Sequence, residues 1–268
     1  MQISFMILMF IVGVCFGSFL CCMARRAKAS HHKKARPLGQ RSVCLHCKYK
    51  LKWYDNIPII SWLVLKGKCR KCHQKIGLLE IISELALAVV FLLLSTTIDV
   101  ATASAIEWVI FIAVTFFIIL LAFLAIYDGA FGELPTSVLV ASIFLAIVIL
   151  ITREIKLLSI HPFSAELVYR PLLSILILGG IYLALYLFSK GKWVGDGDWL
   201  LGTAIGIALF DPWLSLLVLF LSNFFATLVM YPITKTKKIK KVHFGPFLVI
   251  AFIIVYTFSG FFQSLVSF

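Results

Sequence analysis

An all-α bundle that crosses a membrane repeatedly is the fold class this sequence predicts, with a small cysteine-rich segment inserted after the first helix. Three observations predict it. Of the 268 residues, 62% are hydrophobic and only 14% are charged, whereas about a quarter of the residues in an average soluble domain are charged; the mean hydropathy is +1.04. The apolar residues gather into runs close to the roughly 20 residues that a spanning helix needs. The basic residues are confined to a few of the segments between those runs, as happens when Lys and Arg are retained on the cytoplasmic side. The net charge of +13 is therefore topological, with some attraction to anionic lipid, and calls for no nucleic acid.

The first apolar run, 3–23, ends at Arg25-Arg26. It holds no acid and no clear signal-cleavage site, and reads as a retained helix. Residues 25–77 are polar and basic. Further apolar runs follow at 78–96, 105–127, 136–152, 171–189, 198–210, 214–232 and 246–263. Asp211-Pro212 is a turn signal that splits the sixth run from the seventh. About eight transmembrane helices are expected, the sixth being short enough to span only with tilt or in part. The domain division that follows is a first helix at 1–24, a cytoplasmic metal-binding segment at 25–77 and a membrane-embedded domain at 78–268.

Charge placement tests that count. With the N-terminus outside, segments 25–77, 128–135, 190–197 and 233–245 all lie inside and hold 22 of the 25 Lys and Arg. One missed helix would scatter these segments over both faces. On this topology Asp128 and Asp198 share the cytoplasmic face.

The cytoplasmic segment carries two CxxC pairs, Cys44–Cys47 and Cys69–Cys72, separated by 21 residues. Two such knuckles present four thiolates to one zinc ion, and a reducing cytoplasm favours metal over disulfides. A short segment with few core residues also needs a staple, which zinc supplies at about 10–16 kcal/mol. The competing reading is unpaired thiols or a redox pair; His46 and His73 are alternative ligands. Cys15, Cys21 and Cys22 lack such spacing and read as small buried side chains. The apolar stretch 56–62 between the knuckles suits the membrane surface.

Two carboxylates stand out. Asp128 ends the third apolar run and is followed by Leu134-Pro135; Asp198 opens the sixth, in Gly195-Asp196-Gly197-Asp198. Charge at bilayer depth costs about 2.5–3.5 kcal/mol on insertion scales, so such residues usually serve a function. Gly195 and Gly197 give the chain freedom to turn there. A helix C-terminus disfavours the charge of Asp128 and a helix N-terminus favours that of Asp198. Two close carboxylates share one proton, so the pair suits acid and base work, with Asp198 ionised and Asp128 protonated at rest. Each also has a plain reading: Asp198 as a helix N-cap, Asp128 as a solvated loop residue. Asp196 reads as a solvated extra acid. Glu80 and Glu84 lie four residues apart on one helix face, where pairing with Lys or Arg is the ordinary expectation.

These motifs together resemble the type IV prepilin peptidases, GxGD aspartyl proteases of the membrane. The resembling pieces are Gly17-Ser-Phe-Leu20 in the first helix and the paired knuckles with Ser61-Trp62-Leu63 between them. Asp128 with Leu134-Pro135, Gly195–Asp198 and Phe244-Gly-Pro-Phe247 complete the order. The resemblance implies cleavage of the leader of prepilins or pseudopilins at the cytoplasmic face of the bacterial plasma membrane. It also implies methylation of the new N-terminus with S-adenosylmethionine. Asp128 and Asp198 match the catalytic pair, Cys44, Cys47, Cys69 and Cys72 the zinc ligands, and Glu84 an acidic position of the second helix. Departures fall at Cys21-Cys22, Leu45, Leu200 and Gly77-Leu78-Leu79; none removes a catalytic carboxylate or a knuckle thiol. No Gly-rich nucleotide loop is present, so no residue is assigned to the methyl donor. Two other classes compete: a presenilin- or preflagellin-type protease with the same dyad, and an ion-coupled transporter or assembly scaffold. The knuckles argue against the first; the second predicts that neutralising Asp128 leaves prepilin length unchanged.

Overall fold

The computed structural model describes residues 1–31, 42–44, 46–159, 164–192, 194–236 and 243–265. Leu45 of the first knuckle and parts of the basic segments 25–77 and 233–245 lie outside the described residues. The helices are α1 (Gln2–His31), α2 (Ile60–Val64), α3 (Leu78–Leu94), α4 (Ala105–Phe131), α5 (Thr136–Leu158) and α6 (Glu166–Ile175). They continue with α7 (Ile181–Ser189), α8 (Asp196–Leu209), α9 (Pro212–Thr236), α10 (Gly245–Thr257) and α11 (Ser259–Ser264). A π-helical turn, Leu176–Gly180, joins α6 to α7. Among the described residues the β pairing is limited to two isolated bridges, Val43 with Lys50 and Lys68 with Lys75.

All eight expected apolar runs are helical. Among the described residues, six segments are long and apolar enough to cross a membrane, including the combined stretch Glu166–Ser189. The other two, α8 and α10, have 14 and 13 residues. At 1.5 Å per residue they reach about 20 Å, short of the roughly 30 Å hydrocarbon layer. The protein is thus a multi-pass membrane protein in which the short helix α8 opens on the Gly195–Asp198 motif. Large apolar side chains remain exposed along the helices, Phe144 and Leu176 among them, as expected where lipid is the solvent.

The chain divides into two compact units, Met1–Ala101 and Thr102–Phe268. In the first, α1 lies along α3 with almost no space between backbones. A Cβ on Gly13 would stand 2.5 Å from the Leu87 carbonyl oxygen, and one on Gly17 2.5 Å from the Glu84 Cα. Gly13 and Gly17 form a GxxxG pair, the spacing that lets two membrane helices approach closely. The Ser83 hydroxyl donates to the Gly17 carbonyl at 3.2 Å. At the far end the Gln2 amide donates to the carbonyls of Ser95 and Ile98 and accepts the Val100 N–H. Gly17→Leu forces bulk against backbone, so a loss of about 3 kcal/mol or more is expected. The unfolding temperature of detergent-purified protein should drop, while Gly260→Ala, with nothing within 4 Å, should leave it in place. Equal melting of both variants would refute the close packing.

The second unit starts with α4, where the Glu107 carboxylate accepts the Ser104 N–H at 2.8 Å and closes a capping box. Gly132 ends α4 in the left-handed region at φ 69°, its N–H donating to the Asp128 carbonyl at 2.7 Å. Phe210 ends α8 in the same region. Asp211 then caps α9, accepting the Leu214 N–H at 3.0 Å, with Pro212 at the first helical position. The expected turn at Asp211-Pro212 is therefore present. Helix α8 packs against α5, α6 and the π-helical turn. Glycines make this possible: a Cβ on Gly202 would lie 2.7 Å from the Leu178 carbonyl oxygen.

Candidate active site and metal centre

Within the second unit, the last turn of α4 holds Asp128 and the first turn of α8 holds Asp198. Both are buried, at 6% and 8% exposure, although each carries a group that prefers water. The reading of Asp128 as a solvated loop residue is thereby corrected, because α4 runs on to Phe131 and takes Asp128 into the helix. Asp198 has the capping role foreseen for it in a modified form. It sits three residues into α8, and its Oδ2 accepts the Gly195 N–H at 2.9 Å, the back-reaching half of a capping box. Asp196 is exposed.

The two aspartate motifs pack on one another through neighbours. A Cβ on Gly197 would fall 2.7 Å from the Leu134 Cβ, so the glycine before Asp198 makes room for the leucine that follows Asp128. The segment 243–246 binds the same neighbourhood from α10. The Gly245 N–H donates to Asp128 Oδ2 at 3.0 Å, and a Cβ there would lie 2.9 Å from that oxygen. The Phe244 ring packs on Tyr182 with centroids 5.3 Å apart, and Tyr182 lies against Gly202, one turn beyond Asp198. Backbone N–H groups aimed at carboxylates stabilise charge there and restrict rotation of the side chain. The site thus offers two buried, separately anchored carboxyl groups on opposite helix ends, the environment that separates an acid from a base.

Within the first unit, the four cysteines come together as their spacing implied. The sulfurs of Cys44, Cys47, Cys69 and Cys72 all lie within 4.8 Å of one another, with Cys44–Cys72 at 3.8 Å and Cys47–Cys69 at 4.0 Å. A tetrahedron of zinc–sulfur bonds of about 2.3 Å has edges of about 3.8 Å, so the donor set fits that ion. The two knuckles repeat one turn. The Lys48 N–H donates to the Cys44 carbonyl and the His73 N–H to the Cys69 carbonyl, with φ 58° at Lys48 and 54° at His73. His46 and His73 are exposed and stand outside the sulfur cluster. The backbone N–H groups of Cys47 and His46 favour the Cys44 thiolate. At Cys72 the Gln74 N–H is outweighed by burial and the neighbouring thiols, which push it up to about 11, as expected of four sulfurs crowded together.

Between the knuckles, Arg70 donates to Asp55 Oδ1 at 2.7 Å, and the Lys52 N–H donates to Asp55 Oδ2, so the second knuckle grips the buried Asp55 turn. Glu80 pairs with Arg25 as expected. Glu84 departs from that expectation. It is buried and accepts the Ile59 N–H at 2.7 Å, holding a β-branched residue at φ 61°, a conformation that costs about 1–3 kcal/mol.

Comparison with known proteins adds sequence relationship to this geometry. Residues 11–98 match the model of the bacterial peptidase A24 N-terminal domain. A prepilin leader peptidase/N-methyltransferase of Vibrio cholerae is 36% identical over 94 residues, 34% of this chain and 37% of that protein. One from Aeromonas hydrophila is 28% identical over 219 residues, 79% of this chain and 69% of that protein. The chain thus carries a bacterial peptidase A24 N-terminal domain over residues 11–98 and is similar along most of its length to prepilin leader peptidase/N-methyltransferases. The matched stretch spans 37% and 25% of the Vibrio cholerae and Myxococcus xanthus family members. An alignment as long as the Aeromonas hydrophila one takes in the region of both aspartates. No solved structure matches the chain.

Three contacts of these motifs were not legible beforehand: the Gly245 N–H on Asp128, the Glu84 carboxylate under Ile59, and His243, whose Nδ1 is 3.7 Å from Asp128 Oδ1. Sequence offered a signal for the first and third, since 243–247 is a polar-free Phe-Gly-Pro-Phe element headed by a histidine. It offered none for which residue that element meets.

Proposed function

We propose that this chain is a membrane aspartic endopeptidase that removes the leader of type IV prepilins or pseudopilins at the cytoplasmic face of the bacterial plasma membrane. In this reading Asp128 and Asp198 are the catalytic pair. Asp198, on the N-terminal turn of α8, is the ionised base that takes a proton from water. Asp128, on the C-terminal turn of α4, is the acid that gives one to the scissile carbonyl oxygen. The proton then passes from the pair to the leaving amine as the bond breaks. Gly197 serves by letting α8 begin against Leu134, and Gly195 by leaving room for the Asp198 carboxylate, whose Oδ2 lies 3.2 Å from where a Cβ would stand. The observation that carries the reading is the burial of two carboxyl groups, in motifs that pack together, each holding a backbone N–H.

Cys44, Cys47, Cys69 and Cys72 would hold zinc. Four thiolates leave no open coordination position, so the ion is structural and stabilises the segment 25–77. The same family reading includes methylation of the new N-terminus with S-adenosylmethionine, without a residue assignment for the donor. The face of cleavage rests on the 22 of 25 basic residues that fall on one side. The cysteine cluster favours this reading over a presenilin- or preflagellin-type protease. An ion-coupled transporter remains its experimental rival.

The test is co-expression with a leader-bearing type IV prepilin in a host lacking such an enzyme, followed by mass spectrometry of the pilin. The expected product is a shortened chain whose N-terminal amine carries one methyl group. An intact leader in membranes that contain the folded protein would sink the peptidase reading. Cleavage with an unmodified amine would keep the peptidase and remove the methyl transfer.

A further inference from the structure

Among the described residues beside Asp128, His243 has no part in the account above. His243, just ahead of α10, turns its imidazole toward α4. Its Nδ1 lies 3.7 Å from Asp128 Oδ1, while the other carboxylate oxygen, Oδ2, accepts the Gly245 N–H. Nδ1 is buried and makes no hydrogen bond, which is costly for a ring nitrogen with a carboxylate in view. The chain also makes room for the ring. A Cβ on Gly132 would stand 2.5 Å from the imidazole Cε1, so the residue that ends α4 must be glycine both for its φ of 69° and for the histidine. A separation of 3.7 Å is one small side-chain rotation from a hydrogen bond, and catalytic hydrogen bonds are often long before substrate arrives.

We propose that His243 is a positioning residue for Asp128, its Nδ1 sharing the Asp128 proton and thereby setting when that carboxyl acts as the acid. The proposal rests on the reading of Asp128 as catalytic. In one arrangement the proton is on Oδ1 and Nδ1 accepts it; in the other it is on Nδ1, and imidazolium faces carboxylate. The proton moves between two atoms of the site and none is lost. An imidazole exchanges its proton between about pH 5 and 8, which makes the pH dependence of kcat the readout of this contact. The titratable groups described at this end of the elements packed around it are Tyr127 and Asp128 on α4, Asp196 and Asp198 on α8, and Tyr231 on α9. Tyr182, under Phe244, and Glu133, after α4, complete the set.

The experiment measures kcat and KM for cleavage of a purified leader-bearing prepilin by the full-length enzyme in lipid vesicles from pH 5 to 9. His243→Asn keeps a donor where Nδ1 stands but cannot titrate; His243→Ala keeps neither. Asn should stay within about threefold of wild type at pH 7.5 and lose one ionisation from its kcat profile, whereas Ala should lose about tenfold or more in kcat with KM little changed. Profiles of identical shape for wild type and both variants would overturn the proposal. So would complete inactivity of both at every pH with unchanged unfolding temperatures, since the imidazole would then enter the reaction itself. Asp128→Asn is run beside them. Full activity in that variant fails the dyad, whatever His243 does, and so separates the two conclusions.

Discussion

Asp128→Asn and Asp198→Asn should each reduce leader cleavage by at least about a thousandfold if the pair is catalytic as proposed, the scale on which removal of one member of a catalytic unit is felt. The substitutions are nearly isosteric, so the loss belongs to chemistry and not to packing. An Asn at 128 still offers an oxygen to the Gly245 N–H, and one at 198 an oxygen to the Gly195 N–H, the two anchors that hold the carboxylates now. What disappears is the ability to hold and release a proton. Melting temperatures of the purified variants should stay close to wild type. The Asp198 variant should fall slightly more, because a carboxylate also favours the start of α8 by up to about 1 kcal/mol. Asp196→Asn is the internal control: that side chain is exposed, and its cleavage rate should remain within about twofold. Processing at normal rate by either buried variant would end the assignment. A rate that collapses for Asp196→Asn as well would move the second carboxylate of the pair into question.

Removing zinc should have the second large effect, on folding. Purified protein is expected to hold one zinc ion per chain by elemental mass spectrometry. Cys44→Ser or Cys72→Ser should abolish that stoichiometry, because each sulfur is one of four gathered within 4.8 Å. A structural zinc site contributes about 10–16 kcal/mol, more than a segment of this size gains from its own core. The segment 42–76 should then become sensitive to limited proteolysis in the variants and in chelator-treated wild type, and zinc should restore protection to wild type alone. Acid should release the ion as protons compete for the thiolates. A Cys44→Ser protein with full zinc content would disprove the four-sulfur centre. A metal-free wild type whose knuckles resist protease would do the same.

The helices and the cysteine centre were legible before any coordinates because each is set by a local, repeated signal. Runs of apolar residues near spanning length mark α1, α3, α4, α5 and α9. CxxC spacing brings two thiolates to one turn whatever surrounds it. One break was legible for the same reason: Asp211-Pro212 carries its own cap and its own first helical residue. Less legible were the helix ends at the site. Asp128 lay at the edge of an apolar run, and hydropathy has no means of telling the last buried turn from the first solvated one. The carbonyl of Asp128 accepting the Gly132 N–H decides it. Glu84 illustrates the opposite limit. Its spacing from Glu80 predicted an ion pair for both; Glu80 takes Arg25, whereas Glu84 takes the backbone of Ile59, 25 residues away.

The sequence by itself determined that this chain is a polytopic helical protein with a four-cysteine segment and two suspect carboxylates. Periodic hydrophobicity, charge placement and ligand spacing act over a few residues and need no fold to be read. Only the tertiary structure decided how those carboxylates are kept. Asp128 is anchored by the Gly245 N–H and faced by the His243 ring, both from residues more than a hundred positions away. Leu134 fills the space that Gly197 leaves open. Contacts across such separations depend on how α4, α8 and α10 pack, and no local pattern in the chain encodes which side chain meets which.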